Sequence, residues 1–113
     1  MKTLTVKKPW GQFDQFTHNE MTTVKVISVN PGGSLSLQYH NRRTEFWRVL
    51  LGRPILTIGG KKINAKPGDE FIIAKKELHR IEAKIDAVQL LEISYGDFDE
   101  NDIIRTEDKY GRT

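Results

Sequence analysis

Between Pro31 and Gly52 the chain reads PGGSLSLQYHNRRTEFWRVLLG, and this stretch sets Gln38, His40 and Glu45 at a Q-x-H-x4-E spacing between glycines. A second histidine, His79, comes much later, after a Pro-Gly turn and an apolar run. Neutral imidazole and carboxylate are good ligands for zinc, iron, manganese or cobalt. The side-chain amide oxygen of Gln38 adds a weak neutral donor. With a single carboxylate, a bound dication keeps a formal excess of about +1, which favours an anionic ligand at any open position. Such an ion polarises carbonyl or hydroxyl oxygens as a Lewis acid. One histidine on a strand is more often a satisfied polar residue than a ligand. Two of them, with Gln38 and Glu45 at matching positions, point to a metal. The third, His18, sits in an unpatterned polar segment and reads as a surface residue.

These side chains can meet only if short strands turn them to one place. Successive strand residues face opposite sides. Leu35, Leu37 and Tyr39 therefore share one face, and Ser36, Gln38 and His40 share the other. Glu45 follows a turn over residues 41–44 and can return opposite them on a neighbouring strand running to Leu51. Strands are also expected over Val24–Val29, Phe71–Ile73 and Ala87–Tyr95. Ile55–Ile58 and Lys61–Asn64 flank Gly59-Gly60, a strong two-residue hairpin signal. Lys66-Pro67-Gly68-Asp69 reads as a turn, with proline suited to its second position and glycine to positive φ. Only Asp97–Thr106 looks helical, with Asp97 or Asp99 as cap and Ile103 and Ile104 packing down. Many short strands with regular turn signals favour a sandwich or barrel. The polar tail, Glu107–Thr113, is expected to be loosely held.

Composition sets the outer limits. With 113 residues, one domain over 1–113 is the default. The net charge of +3 balances 18 basic against 15 acidic residues, too mild and too evenly spread for a nucleic-acid partner. The absence of cysteine excludes both a disulfide scaffold and a thiolate metal site. The first residues, MKTLTVKKPWG, hold no sustained apolar run, so neither a signal peptide nor a membrane span is expected there. A cytoplasmic protein is the simplest inference.

Gly32, Gln38, His40, Glu45 and Gly52 resemble the first cupin motif, G-x5-H-x-H-x3,4-E-x6-G, with Gln38 in place of its first histidine. The second motif, G-x5-P-x-G-x2-H-x3-N, is met by Gly68 and His79. Ala74, Lys76 and Ala83 replace its proline, second glycine and asparagine. Further stretches resemble the type II mannose-6-phosphate isomerases, often the C-terminal part of a bifunctional mannose-1-phosphate guanylyltransferase. They are Lys8-Pro9-Trp10-Gly11, the run Leu35–His40, Arg43-x-Glu45-x-Trp47, Gly68-Asp69, His79-Arg80, and the ending Asp102-Ile103-x-Arg105-x2-Asp108-x-Tyr110-Gly111-Arg112. A nucleotidyltransferase part is not expected within these 113 residues, which hold no glycine-rich G-x-G-x-R-type loop. The resemblance implies an all-β fold: a single-domain cupin, or jelly-roll β-barrel, closed by a short C-terminal helical turn. It implies interconversion of mannose 6-phosphate and fructose 6-phosphate, and a divalent ion (zinc, or else cobalt, manganese, nickel or iron) on Gln38, His40, Glu45 and His79. It also implies that Arg43 serves isomerase activity, although spacing alone would leave Arg43 as a solvent-facing turn residue. By analogy with such relatives a homodimer is expected.

Aldose–ketose exchange requires stabilised negative charge on two oxygens, a proton shuttle, and a cationic anchor for the phosphate. The ion and Arg43 would meet the first need. Glu82, Glu92 and Lys25 stay open for the second. Arg80, Arg105 and Arg112 are candidates for the third, because guanidinium matches phosphate in a two-pronged fashion. Arg80 directly follows a ligand, so on a strand it would face away from the site. Trp47 shares parity with Glu45 and should point inward, whereas Tyr39 has the opposite parity to His40. Trp10 reads as a packing anchor for an N-terminal strand. Two other functions compete: a sugar- or sugar-phosphate-binding metal cupin without activity, and a small iron-dependent cupin dioxygenase, for which the amide donor makes a poorer site.

Overall fold

Turn chemistry sets most strand boundaries. Gly59, at φ 60°, closes the expected hairpin. At the Pro67 turn, Gly68 takes φ 92° and the Asp69 amide donates back to the Lys66 carbonyl at 3.1 Å. The computed structural model describes residues 3–113; Met1 and Lys2, the first two residues of the expected 1–113 domain, lie outside the described residues. The strands are β1 (Leu4–Lys8), β2 (Gly11–Gln15), β3 (Thr22–Val29), β4 (Leu37–Tyr39), β5 (Thr44–Leu51), β6 (Ile55–Ile58), β7 (Lys61–Asn64), β8 (Glu70–Ile73), β9 (His79–Glu82), β10 (Val88–Tyr95) and β11 (Ile104–Glu107). Among the described residues there is no helix, and none long and apolar enough to cross a membrane.

All pairings are antiparallel. One sheet runs β3-β10-β5-β8 and the other β11-β4-β9-β6-β7, while β1 and β2 form a separate ribbon. The two larger sheets enclose one core. Trp47, Val49, Val88 and Leu90 come from the first sheet, Leu56 and Ile81 from the second. Full burial of each such side chain stabilises by about 1.5–3 kcal/mol. The inward rows change character along their length. Val88 and Leu90 of β10 are followed on the same face by Glu92 and Ser94, and Val49 and Trp47 of β5 give way to Glu45. One end of the interior is therefore apolar and the other is lined with polar and ionisable groups.

The ribbon β1–β2 would be marginal alone. It rests against the outer side of the first sheet through Thr3 on Glu70, Asp14 near Arg48, and the Phe16 ring 5.8 Å from Phe46. Trp10 is not a packing anchor: it sits at the ribbon's turn and is 73% exposed. The expected C-terminal helical turn is also absent. The Asp99 carboxylate caps the Asn101 amide at 2.9 Å, and the Asp102 amide returns to the Asp99 carbonyl at 3.0 Å, so the chain makes one turn and stops. Ile104 then enters β11, because β4 offers an open edge and β-branched residues suit a strand. Ile104 is exposed and does not pack down. The tail meets the body at Lys109, which donates to the Gly32 carbonyl, and at Tyr110, whose hydroxyl accepts from the Ser34 amide at 3.3 Å.

Candidate metal centre

His40 leaves the end of β4, Glu45 stands on β5 in the other sheet, and His79 opens β9. All three are almost wholly buried, and their ligand atoms converge in one group. The two Nε2 atoms are 3.2 Å apart. Glu45 Oε2 lies 3.6 Å from His40 Nε2, and Oε1 lies 3.7 Å from His79 Nε2. Ligands held about 2.0–2.2 Å from a shared ion stand roughly 3–3.6 Å from one another.

The hydrogen bonds behind the rings decide what the rings offer. His40 Nδ1 faces the Asp102 carbonyl at 2.6 Å, and His79 Nδ1 faces the Glu77 carbonyl at 2.8 Å. A carbonyl oxygen only accepts, so each Nδ1 carries the hydrogen and each Nε2 presents a lone pair. Burial holds both imidazoles below their ordinary pKa, with the neutral form favoured. Two lone pairs therefore face each other across 3.2 Å beside a carboxylate. The Arg43 guanidinium offsets this repulsion at His40 Nε2 and Glu45 Oε2 but does not reach His79 Nε2, whose lone pair stays open, so the donor set fits a divalent metal.

Two turns hold the rings in this pose. The Asp102 carboxylate accepts the amides of Asn41 at 2.9 Å and Arg42 at 3.0 Å, fixing the bend between His40 and Glu45. Burial opposes its ionisation, but these two donors hold its carboxyl below the ordinary range. Before His79, Lys76 adopts φ 66° and its amide donates to the His40 carbonyl at 2.7 Å. This is the position where the second cupin motif has glycine. The left-handed geometry survives there without the glycine.

Arg43 is buried, not solvent-facing. Its Nε donates to Glu45 Oε2 at 2.9 Å, Nη1 to the Asp99 carbonyl at 3.2 Å and Nη2 to His40 Nε2 at 3.2 Å, and its guanidinium lies 4.5 Å over the Phe98 ring. Trp47 points inward as its parity requires, giving Nε1–H to Glu45 Oε1 at 3.3 Å. Gln38 is directly opposite His79 in register, with Oε1 accepting from the Ser36 hydroxyl at 2.6 Å.

A cavity of about 240 Å³ reaches the cluster at His40. Gln38, His40, Arg43 and Glu92 belong to its wall, as do Lys25, Arg105 and Arg112. Of the three open shuttle candidates, Lys25 and Glu92 therefore line it; Glu82 lies at a separate surface cleft. Burial first, then the Glu45 charge, raises the pKa of Glu92 to about 7. Arg80 also lies at the other cleft, bonded to the Leu35 carbonyl at 3.1 Å and to Glu107 at 3.3 Å. Among the three arginine candidates for phosphate, Arg105 and Arg112 share the cavity with the cluster and Arg80 does not. His18 is at the surface, beside the Asn19 amide. Asp102 and Glu77 escape a reading of spacing alone, since each meets its histidine through a backbone carbonyl. The C-terminal motif that begins at Asp102 is the one signal that singles out the first.

The sequence profile described as "Mannose-6-phosphate isomerase C-terminal" matches residues 1–108. The mannose-1-phosphate guanylyltransferase ManC of Salmonella typhimurium is 36% identical over 110 residues, which is 95% of this chain and 23% of that protein. The xanthan biosynthesis protein XanB of Xanthomonas campestris is 36% identical over 111 residues, 96% of this chain and 24% of the other. The chain thus spans about a quarter of the length of these curated relatives. Among solved structures, a cupin-2 domain protein of Rhodospirillum rubrum superposes with a TM-score of 0.66 at 21% identity, over 89% of this chain and 77% of that one. The profile match takes in every strand from β1 through β11, so this chain belongs to the mannose-6-phosphate isomerase C-terminal family and folds as a cupin.

Proposed function

We propose that the chain is a metal-dependent sugar-phosphate isomerase that interconverts mannose 6-phosphate and fructose 6-phosphate. The observation that carries the reading is the pair of forced Nδ1–H tautomers, which aim two Nε2 lone pairs and the Glu45 carboxylate at one point. His40, Glu45 and His79 would hold the ion, with Gln38 as the fourth donor; zinc suits this set, and cobalt, manganese, nickel and iron are the other candidates. When bound, the ion supplies Lewis acidity to the carbonyl and hydroxyl oxygens of the substrate.

The remaining work falls to side chains. Exchange moves a proton from C2 to C1 and the O2 hydroxyl proton to O1. Negative charge grows on both oxygens as the enediolate forms. Arg43 is permanently charged and immobilised by Glu45 and the Asp99 carbonyl, so it can meet that charge without reorganising. Two carboxyl groups on the cavity wall are not assigned to the ion; Glu100 is exposed and paired with Lys25, whereas Glu92 is buried, which makes Glu92 the group placed to carry the proton. The phosphate falls to a cation of the wall other than Arg43.

The test is a coupled assay of mannose 6-phosphate to fructose 6-phosphate, run with elemental analysis of the purified protein. Turnover that disappears with chelator and returns with one of the named ions is the expected result. Ion-loaded protein that turns over neither sugar phosphate overturns the reading.

A further inference from the structure

The arginines of the cavity are not equivalent. Arg43 is bound to Glu45, His40 and the Asp99 carbonyl. Arg112 forms a two-pronged pair with Asp108, at 2.8 and 3.0 Å. Lys25 is paired with Glu100 at 3.1 Å. Arg105 has no ion pair, and its buried Nε finds no hydrogen-bond partner among the described residues. A buried donor left unmatched costs about 1–3 kcal/mol. On a cavity wall such a donor is open to a ligand oxygen.

Its place in the ladder says which group. Arg105 pairs with Gln38 across β11 and β4, and Gln38 pairs with His79 across β4 and β9. Residues directly opposite one another point to the same face, so Arg105, Gln38 and His79 form a single inward row. Two strand spacings put the Arg105 Cα roughly 10 Å from that of His79. The register slips between Arg105 and Glu107, a bulge of the sort that re-aims a side chain beside a site. An unmatched guanidinium thus stands in line with the metal-binding group, two strands away.

We infer that Arg105 is the anion seat of the cavity and takes the phosphate monoester of a substrate whose other end lies at His40, Glu45 and His79. This rests on the isomerase reading for the identity of the sugar but not for the anion. Guanidinium offers phosphate two parallel donors, and Nε is one of them. Arg112 is already neutralised by Asp108 and shapes the wall.

The test compares unsubstituted protein with Arg105→Gln, Arg105→Lys and Arg80→Gln. Calorimetry measures inorganic phosphate, mannose 6-phosphate and unphosphorylated mannose, with metal content and melting temperature recorded for each protein. Arg105→Gln is expected to lose about 10- to 100-fold in affinity for both phosphorylated probes. Mannose binding and metal content should not change. Arg105→Lys, which keeps charge but loses the fork, should recover only part. Arg80→Gln should match the unsubstituted protein. In turnover the loss should appear as a raised KM with kcat little altered. Equal phosphate affinity in Arg105→Gln and the unsubstituted protein, or no phosphate binding by either, overturns the inference. Phosphate binding through Arg105 in a protein that turns over no sugar would uphold it while removing the isomerase reading.

Discussion

Replacing Asp102 with asparagine removes one charge and almost no volume, yet it strikes the bend that aims His40. In the native chain one carboxylate takes two backbone amides, Asn41 at 2.9 Å and Arg42 at 3.0 Å. Asparagine can accept only one of them, and its NH2 group then confronts the other donor. Hydrogen bonds to a charged acceptor contribute about 1.5–3 kcal/mol, so the loss should be about 2 kcal/mol. With unfolding entropy near 2.1 cal/mol/K per residue, a chain of 113 residues loses about 0.24 kcal/mol for each degree. The melting temperature should therefore fall by roughly 8 °C. Because the Asp102 carbonyl also orients the His40 ring, zinc affinity should drop about tenfold or more. The assay is thermal unfolding of the metal-free protein, followed by competitive zinc titration. Asp86→Asn, which removes the same charge from an exposed loop, should change the melting temperature by no more than about 2 °C. If Asp102→Asn melts with that control, the carboxylate is not holding the bend and the account of how His40 is aimed fails.

Other perturbations give separate checks. A divalent ion at 100 times its dissociation constant should stabilise by about 2.7 kcal/mol, some 11 °C in a melt, and chelator should reverse it. His79→Ala should abolish that shift and Arg80→Ala should retain it. Gly52→Ala should destabilise strongly in a denaturant melt, since Gly52 lies at φ 79° and a Cβ there would run into the Ala87 carbonyl. Lys76→Gly should raise stability by up to about 1 kcal/mol, because a left-handed backbone strains a side chain and not a glycine. Asp108 hydrogen-bonds Arg112, which holds its carboxyl well below the usual range. Its contribution is present above the ordinary carboxylate pKa and is lost as pH falls through the depressed value. An NMR titration should find Asp108 still ionised below the ordinary aspartate range, and Arg112→Gln should move its titration back up toward that range.

Where sequence could be read, local chemistry spoke for itself. The Gly59-Gly60 hairpin falls at the expected residues, because two glycines fix both the turn and the register. Ser36 and His40 share an inward face as strand parity demands. Elements that depend on distant partners were harder. β9 reads His-Arg-Ile-Glu and lacks an apolar stripe because one of its inward positions is a histidine. β11 exists only because β4 leaves an edge open, and its aspartate-rich approach imitates a helix start. The ribbon β1–β2 buries no face of its own, so it carries no alternation to detect. Arg43 sits in a turn by spacing, and it is the loop carrying Phe98 and Asp99, more than fifty residues later, that covers it.

The three converging side chains do not all come from one sheet: Glu45 belongs to the four-stranded layer, and the two histidines belong to the five-stranded one. Between the histidines, β4 and β9 share a single register pair, Gln38 with His79. A cation seated there would tie the two layers to each other and brace the thinly stitched β4–β9 seam inside the five-stranded one, closing a loop of 39 residues between its imidazoles. A chain with no cysteine would then draw its one long-range cross-link from an inorganic ion, and shape and reactivity would be gained or lost in the same event.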